Sequence, residues 1–244
     1  VGELLRVAIE ARADAFVLEN VPSLLHPRNH TEFQALLDGA ADAGFRVRVV
    51  RGNAAEHGVP QRRERVFVLA TRGVEPVAPE PTHSLSRDPA ALGLLRAVTA
   101  GEALEPFSGE EHKEDGETVQ GRWAAKFREV PPGWNYKFHT AWANHPSPTF
   151  VTETRFWNFL LKLDPALPSW TLPANPGPWV GPFHWDDRRL RTVEFAALQG
   201  FPTGYVFVGN RRERIRQIGN AVPPLLAARM IGQVLATLGL DGEH

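Results

Sequence analysis

Residues 66–70, Val-Phe-Val-Leu-Ala, are apolar without interruption and follow directly on the basic run Gln61-Arg62-Arg63-Glu64-Arg65. A strand with one face in water alternates apolar and polar side chains, so a strand over residues 65–70 that is almost wholly apolar is expected to be covered on both faces. The neighbouring segments supply the cover. Residues 15–18 form a short apolar strand ended by Pro22, and residues 45–50 alternate as another strand. Between them, residues 31–43 read as a helix with Phe33, Leu36 and Leu37 on one face and Gly44 as its C-terminal stop. A helix-like stretch over residues 3–12 precedes the first strand. Residues 1–75 are therefore expected to build an α/β domain, a buried sheet flanked by helices.

The character changes after Gly73. Most of the 21 prolines and all but one of the seven tryptophans fall before about residue 182, and helical periodicity fades. Residues 76–185 are expected to form an irregular or β-rich inserted domain, with the tryptophans mainly in its core and not on a base-stacking surface. Past Arg188 helices return over residues 186–244: Thr192 is placed as N-cap of a helix through 199, and Pro223-Pro224 opens a last helix to about 238. No apolar run approaches the length of a membrane span, no signal-peptide pattern opens the chain, and there is no cysteine for a disulfide framework. The cytoplasm is the expected compartment, with no membrane association. The nine histidines show no His-x-x-x-His spacing, so no metal site is expected.

Net charge is −1, but its distribution is uneven. Of the 27 basic residues 23 are Arg, seven of them within residues 46–72 and seven within 188–216. A GC-rich coding sequence explains part of the Arg excess and none of the clustering. Arg contacts phosphate and guanine edges in bidentate fashion. Glu102, Glu105, Glu110, Glu111, Glu114, Asp115 and Glu117 gather elsewhere, in a stretch expected to be a solvated loop facing away from any phosphate.

Several blocks carry candidate chemistry. Phe16-Val17-Leu18-Glu19-Asn20-Val21-Pro22 sets a carboxyl group just beyond the end of a strand, where ligands of open α/β sheets gather. Such a group, its pKa raised by apolar surroundings, suits proton transfer; taken by itself it reads more readily as a Glu capping the turn before Pro22. In Gly58-Val59-Pro60-Gln61-Arg62-Arg63-Glu64-Arg65-Val66-Phe67, Arg63 and Arg65 project to one side of a strand entry, as an electrostatic pair or as a solvated basic stretch with Glu64 as ion partner. Leu198-Gln199-Gly200-Phe201-Pro202 and Gln217-Ile218-Gly219-Asn220-Ala221-Val222-Pro223-Pro224 follow; the latter presents backbone groups at the start of a helix and is in any case a helix cap.

These four blocks, in this order and bracketing nearly the whole chain, resemble the DNA cytosine-C5 methyltransferases. The resemblance implies part of a Rossmann-like, S-adenosylmethionine-dependent methyltransferase sheet with an inserted target-recognition domain, acting on double-stranded DNA in restriction-modification. It assigns Glu19 to N3 and the amino group of a flipped cytosine, with Asn20 fixing the loop. Arg65 falls to the cytosine carbonyl oxygen and Arg63 to a neighbouring phosphate, with Gln61 and Thr171 also at DNA. Asn220, Ala221 and Val222 are its cofactor candidates, while Arg191 and Glu194 are structural. Pro132-Gly133-Trp134-Asn135-Tyr136 and Ser169-Trp170-Thr171-Leu172-Pro173 resemble landmarks bordering the recognition domain, although no residue there predicts a target sequence.

The chemistry of that family depends on a cysteine thiolate, and this chain has none. The Gly-rich cofactor loop and the Pro-Cys loop that precede the Glu-Asn-Val block in the family have no counterpart before Glu19. By this reading the chain begins inside a domain and is inactive alone. Three versions stand open: one subunit of a split enzyme completed by a second polypeptide bearing both loops, a non-catalytic DNA-binding or regulatory homologue, and a truncated product of a single-chain enzyme, the Val at position 1 fitting either truncation or a GTG start codon. An RNA-directed relative remains a further alternative, the large middle region favouring DNA.

Overall fold

The computed structural model describes residues 2–152 and 156–240, leaving Val1 outside them. The chain forms two compact units, one from residues up to 57, 63–95 and 224 onward, the other from 58–62 and 96–223. The segment expected over 1–75 thus gives its Gly58–Arg62 stretch to the second unit, and the segment expected over 186–244 is shared between the two.

The first unit begins with α1 (Gly2–Glu10), β1 (Ala15–Asn20), α2 (His30–Asp42) and β2 (Phe45–Asn53). After the two-residue β3 (Gln61–Arg62), which belongs to the second unit, come β4 (Glu64–Arg72) and the short β5 (His83–Ser84). The order in the main sheet is β1-β4-β2, with both outer strands antiparallel to β4. β1 and β2 therefore run in the same direction, and α2 is the crossover between them. Asn20 lies opposite Val66 and Asn53 opposite Glu64, so the carboxyl ends of β1 and β2 and the entry to β4 meet at one end of the sheet.

The apolar run in β4 is explained by its two neighbours. Val66, Val68 and Ala70 pack with Leu5 and Ala8 of α1, Phe33, Leu36 and Ala40 of α2, and Phe16, Leu18 and Phe45 of the flanking strands. Phe67 and Leu69 have the opposite parity and are buried as well. On that side lies the closing helix, Pro224–Thr237 (α7 in chain order); a Cβ at Gly52 would stand 2.8 Å from Met230 Cε and 3.2 Å from Leu226 Cδ1. Helix α2 stops at Gly44, whose φ of +84° suits glycine. Arg72 finishes the end: its guanidinium stacks 4.3 Å from the Phe45 ring centre and donates to the Ala43 carbonyl at 2.6 Å.

After β6 (Leu95–Arg96), the second unit is mostly irregular, with α3 (Ala100–Leu104), α4 (Ala124–Glu129), β7 (Ser169–Trp170), α5 (Thr192–Gln199) and α6 (Arg211–Asn220). Among the described residues its β structure amounts to two-residue strands, chiefly the parallel β3–β7 pair, and isolated bridges. One core joins α3, α5 and α6 through Leu104, Phe195, Leu198, Ile215 and Ile218; a second is built on Phe127, Tyr136, Leu160 and Phe183. Neither takes a tryptophan into its fully buried set. Trp123, Trp179 and Trp185 pack half-buried against these cores, whereas Trp134, Trp142, Trp157 and Trp170 are exposed, which corrects the expectation of a tryptophan core for those four.

The acidic stretch is also not a simple solvated loop. Glu114 accepts from the Thr192 amide and hydroxyl at 3.0 Å and pairs with Arg211, while Glu117 pairs with Arg191 Nε at 2.9 Å. These carboxylates pair with two arginines of the second cluster and hold the start of α5, whose N-cap is Arg191, one residue before the expected Thr192. In α6, Gly219 approaches another backbone closely: a Cβ there would lie 2.6 Å from Ala174 Cα and 2.8 Å from Ala174 N. Backbone cannot yield as a side-chain tip can, so Gly219→Ala is expected to destabilise by at least about 2 kcal/mol. Urea unfolding checks this; an unchanged midpoint would refute the close-approach account of this glycine.

Candidate active site

The sheet end where β1 finishes and β4 begins gathers the ionisable groups. Glu19 lies opposite Phe67, so Arg65, two residues earlier in β4, is its diagonal neighbour on the same face. Arg65 Nε stands 2.7 Å from Glu19 Oε1, and Arg65 Nη1 donates to the Glu64 carbonyl at 2.7 Å. Gly52 is the residue across from Arg65 on β2, so no side chain crowds the guanidinium from that strand. The carboxylate's setting is ionic, where apolar surroundings were expected. Its side chain keeps 27% exposure against 11% for that of Arg65, so the acid is the more accessible partner. Asn20 Oδ1 accepts from the Val21 amide at 2.8 Å and shapes the turn that follows.

Arg63 is fully enclosed at 2% exposure. Burial pushes its guanidinium down to about 10, Arg65 adds to the fall and Glu19 opposes it. Burial likewise lowers Arg65, with Glu19 pulling it back. Both guanidiniums therefore lie within the electrostatic reach of the Glu19 carboxylate. An enclosed Arg63 does not reach a phosphate in this conformation, which departs from the role the resemblance gave it.

In the second unit, Gln61 is fully buried. Its amide nitrogen donates to the Leu198 carbonyl at 3.1 Å and to Gln199 Oε1 at 2.6 Å, and its oxygen accepts from the Leu172 amide at 3.2 Å. Both donors are used inside the fold, so the expected DNA contact is replaced by a clamp joining β3, α5 and the chain after β7. Thr171 is exposed and donates to the Arg62 carbonyl at 2.8 Å. Beside it the sequence reading missed a surface group: the Arg62 guanidinium lies 5.4 Å from the Trp170 ring, which meets Trp157 edge-on at 5.3 Å. The signal was present in the Arg-rich run, but the tryptophans had been assigned to a core.

Asn220 ends α6 and is exposed, while Ala221 and Val222 are half-buried in the turn before α7; Gln199 Nε2 donates to the Ala221 carbonyl at 2.7 Å. One exposed amide and two half-buried apolar side chains thus occupy the turn that ends α6 and leads into α7. Arg191 and Glu194 are interior: Arg191 donates to the Phe107 and Gly109 carbonyls at 2.6 and 2.8 Å, and Glu194 accepts from Arg188 at 2.7 and 2.8 Å. No helix among the described residues is long and apolar enough to cross a membrane.

Over residues 2–236 the chain matches the family of C-5 cytosine-specific DNA methylases. It is 40% identical over 256 residues to Type II methyltransferase M.SacI of Streptomyces achromogenes, an alignment covering 97% of this chain and 64% of that protein. It is 31% identical over 224 residues to Type II methyltransferase M.NgoFVII of Neisseria gonorrhoeae, covering 90% and 58%. The chain thus spans 58–64% of the length of these relatives. A solved E. coli prophage-encoded protein, described as a DNA modification methyltransferase, shares the fold with a TM-score of 0.61 at 19% identity, covering 96% of this chain and 72% of that one. The methyl donor of such enzymes is S-adenosylmethionine. With its blocks in order and its mixed α/β architecture matched, the chain belongs to the C-5 cytosine-specific DNA methylase family.

Proposed function

We propose that this chain is the part of a restriction-modification DNA cytosine-C5 methyltransferase that holds the target base and recognises DNA, acting with a thiolate supplied from outside these 244 residues. The observation that carries the reading is the Glu19–Arg65 pair at the carboxyl end of β1, with Arg63 buried beside it. Cytosine C5 becomes nucleophilic once a thiolate adds at C6, and the charge that develops on the ring is relieved at N3 and at the carbonyl oxygen. Glu19 meets N3 and the amino group, holding a proton between its carboxyl oxygen and N3. Arg65 meets the carbonyl oxygen, and Arg63 adds positive field behind it. The base reaches these groups only by leaving the duplex stack.

S-adenosylmethionine supplies the methyl group when bound, and Asn220, Ala221 and Val222 line one side of its pocket. Thr171, with Arg62 and the exposed Trp157–Trp170 pair, supports contact with the DNA backbone. Residues 76–185 are the target-recognition region of this proposal. The thiolate comes from a second polypeptide or from further residues of the same one, since no cysteine is present in the chain.

The test is complementation. The purified chain is mixed with a separately expressed segment made of the part of the 40%-identical Streptomyces relative that the alignment leaves uncovered, and transfer of labelled methyl groups to duplex DNA is measured. Transfer by the mixture and by neither part alone is the expected result. Transfer by the chain alone would refute the external thiolate. DNA binding by the chain without transfer in the mixture would favour the second reading, a non-catalytic DNA-binding homologue.

A further inference from the structure

Away from the sheet, three side chains of the second unit converge: Glu129 at the end of α4, His139 and His145, whose ligand atoms all lie within 4.8 Å of one another. His139 is fully buried. Its Nε2 lies 2.7 Å from the Lys126 carbonyl, an acceptor, so in the neutral ring Nε2 carries the proton and Nδ1 presents a lone pair. That Nδ1 is buried without a hydrogen-bond partner and faces a Glu129 carboxylate oxygen at 3.6 Å. Two acceptors pointed at each other beyond hydrogen-bond reach are unfavourable unless a cation lies between them. His145 completes the set. Its Nδ1 lies 2.9 Å from the Ser147 carbonyl and 3.1 Å from the Ser147 amide; in the tautomer whose Nδ1–H donates to the carbonyl, Nε2 presents the free lone pair.

We propose that Glu129, His139 and His145 bind a single zinc-class divalent transition-metal ion, with water completing the coordination on the exposed side of Glu129. Two imidazoles and one carboxylate without thiolate fit zinc or cobalt, and not the all-oxygen shells of calcium or magnesium. Bond lengths of about 2.0 Å set tetrahedral ligand atoms about 3.3 Å apart. The His139–Glu129 distance of 3.6 Å nearly meets that, and the half-buried His145 closes the remainder by a small side-chain movement. Each imidazole already has its other nitrogen on a backbone group, the outer-shell arrangement that orients metal-binding histidines. Lys126 Nζ, 3.1 Å from the same Glu129 oxygen, yields to the ion or keeps the second oxygen. Asn144, in the left-handed conformation at φ +55°, makes the turn that returns His145 towards His139. A bound ion ties the end of α4 to the segment 139–145, which carries the exposed Trp142.

The experiment uses the tag-free full chain, stripped with a chelator and titrated with cobalt(II) while visible absorption is followed, then with zinc by calorimetry. One ion per chain, a four-coordinate cobalt spectrum abolished by zinc, and a zinc-dependent rise in melting temperature are the expected results. His145→Ala and Glu129→Gln each weaken binding by at least about a hundredfold, while His26→Ala leaves it unchanged. His139 is left intact because its burial makes its loss a folding defect. Absence of stoichiometric uptake, or uptake that survives His145→Ala in a variant of native circular dichroism, overturns the site. A protonated His139 would then be the partner of Glu129.

Discussion

Glu19→Gln is expected to lower the turnover of the complemented enzyme by roughly 10²–10⁴-fold, the range for loss of a positioned proton donor or acceptor. The amide keeps the size of the side chain and can still accept from the cytosine amino group. It cannot hold a proton against N3 at the moment charge develops there. It also leaves Arg65 without the carboxylate now 2.7 Å from its Nε, beside the buried Arg63. Arg65, without that ion partner, is then free to swing away from the carbonyl oxygen's site. DNA affinity should change far less, because Glu19 meets only the extruded base. Single-turnover methyl transfer at saturating DNA separates the two effects. A rate within tenfold of the parent would remove Glu19 from proton chemistry and leave it as the ion partner that shapes Arg65.

The expected elements of the first unit were legible because each depended on its own neighbours in sequence. The unbroken run in β4 required cover on both faces, and α1, α2 and α7 provide it. The bounds of α2 and α7 shifted by a residue because capping is decided by backbone dihedrals as well as by residue type. Strand register was not legible, and register is what brings Arg65 diagonally onto Glu19. Contacts across long separations were hidden too. Gln61 looks like part of a basic surface loop until Leu198 and Gln199 close on its amide, and Glu114 and Glu117 look solvated until Arg211 and Arg191 reach them. The histidines tell the same story: linear spacing gave no ligand pattern, yet the short turns between residues 136 and 144 bring His139 and His145 rings to 4.9 Å.

Glu194→Ala is expected to cost about 3–5 kcal/mol of folding stability, enough to unfold a marginal unit. Glu194 is wholly buried, and its two oxygens take the Arg188 guanidinium in a bidentate pair at 2.7 and 2.8 Å. One of them also accepts from the Arg191 amide at 2.8 Å and closes the first turn of α5. Removing the carboxylate leaves Arg188, whose side chain is only 15% exposed, as an unpaired charge. It also frees a backbone donor at a helix start, worth about 1 kcal/mol on its own. His184 cannot substitute as an anion, and burial with Arg188 and Arg191 nearby pushes its pKa down to about 3, so it stays neutral beside the stranded charge. Replacing Arg188 and Glu194 together by apolar residues removes the charge along with its partner, and the double variant should recover much of the loss. Denaturant melts of the single and double variants decide the matter: a single-variant loss under about 1 kcal/mol would mean that water reaches Arg188 readily and that packing of α3, α5 and α6, not the ion pair, holds this unit together.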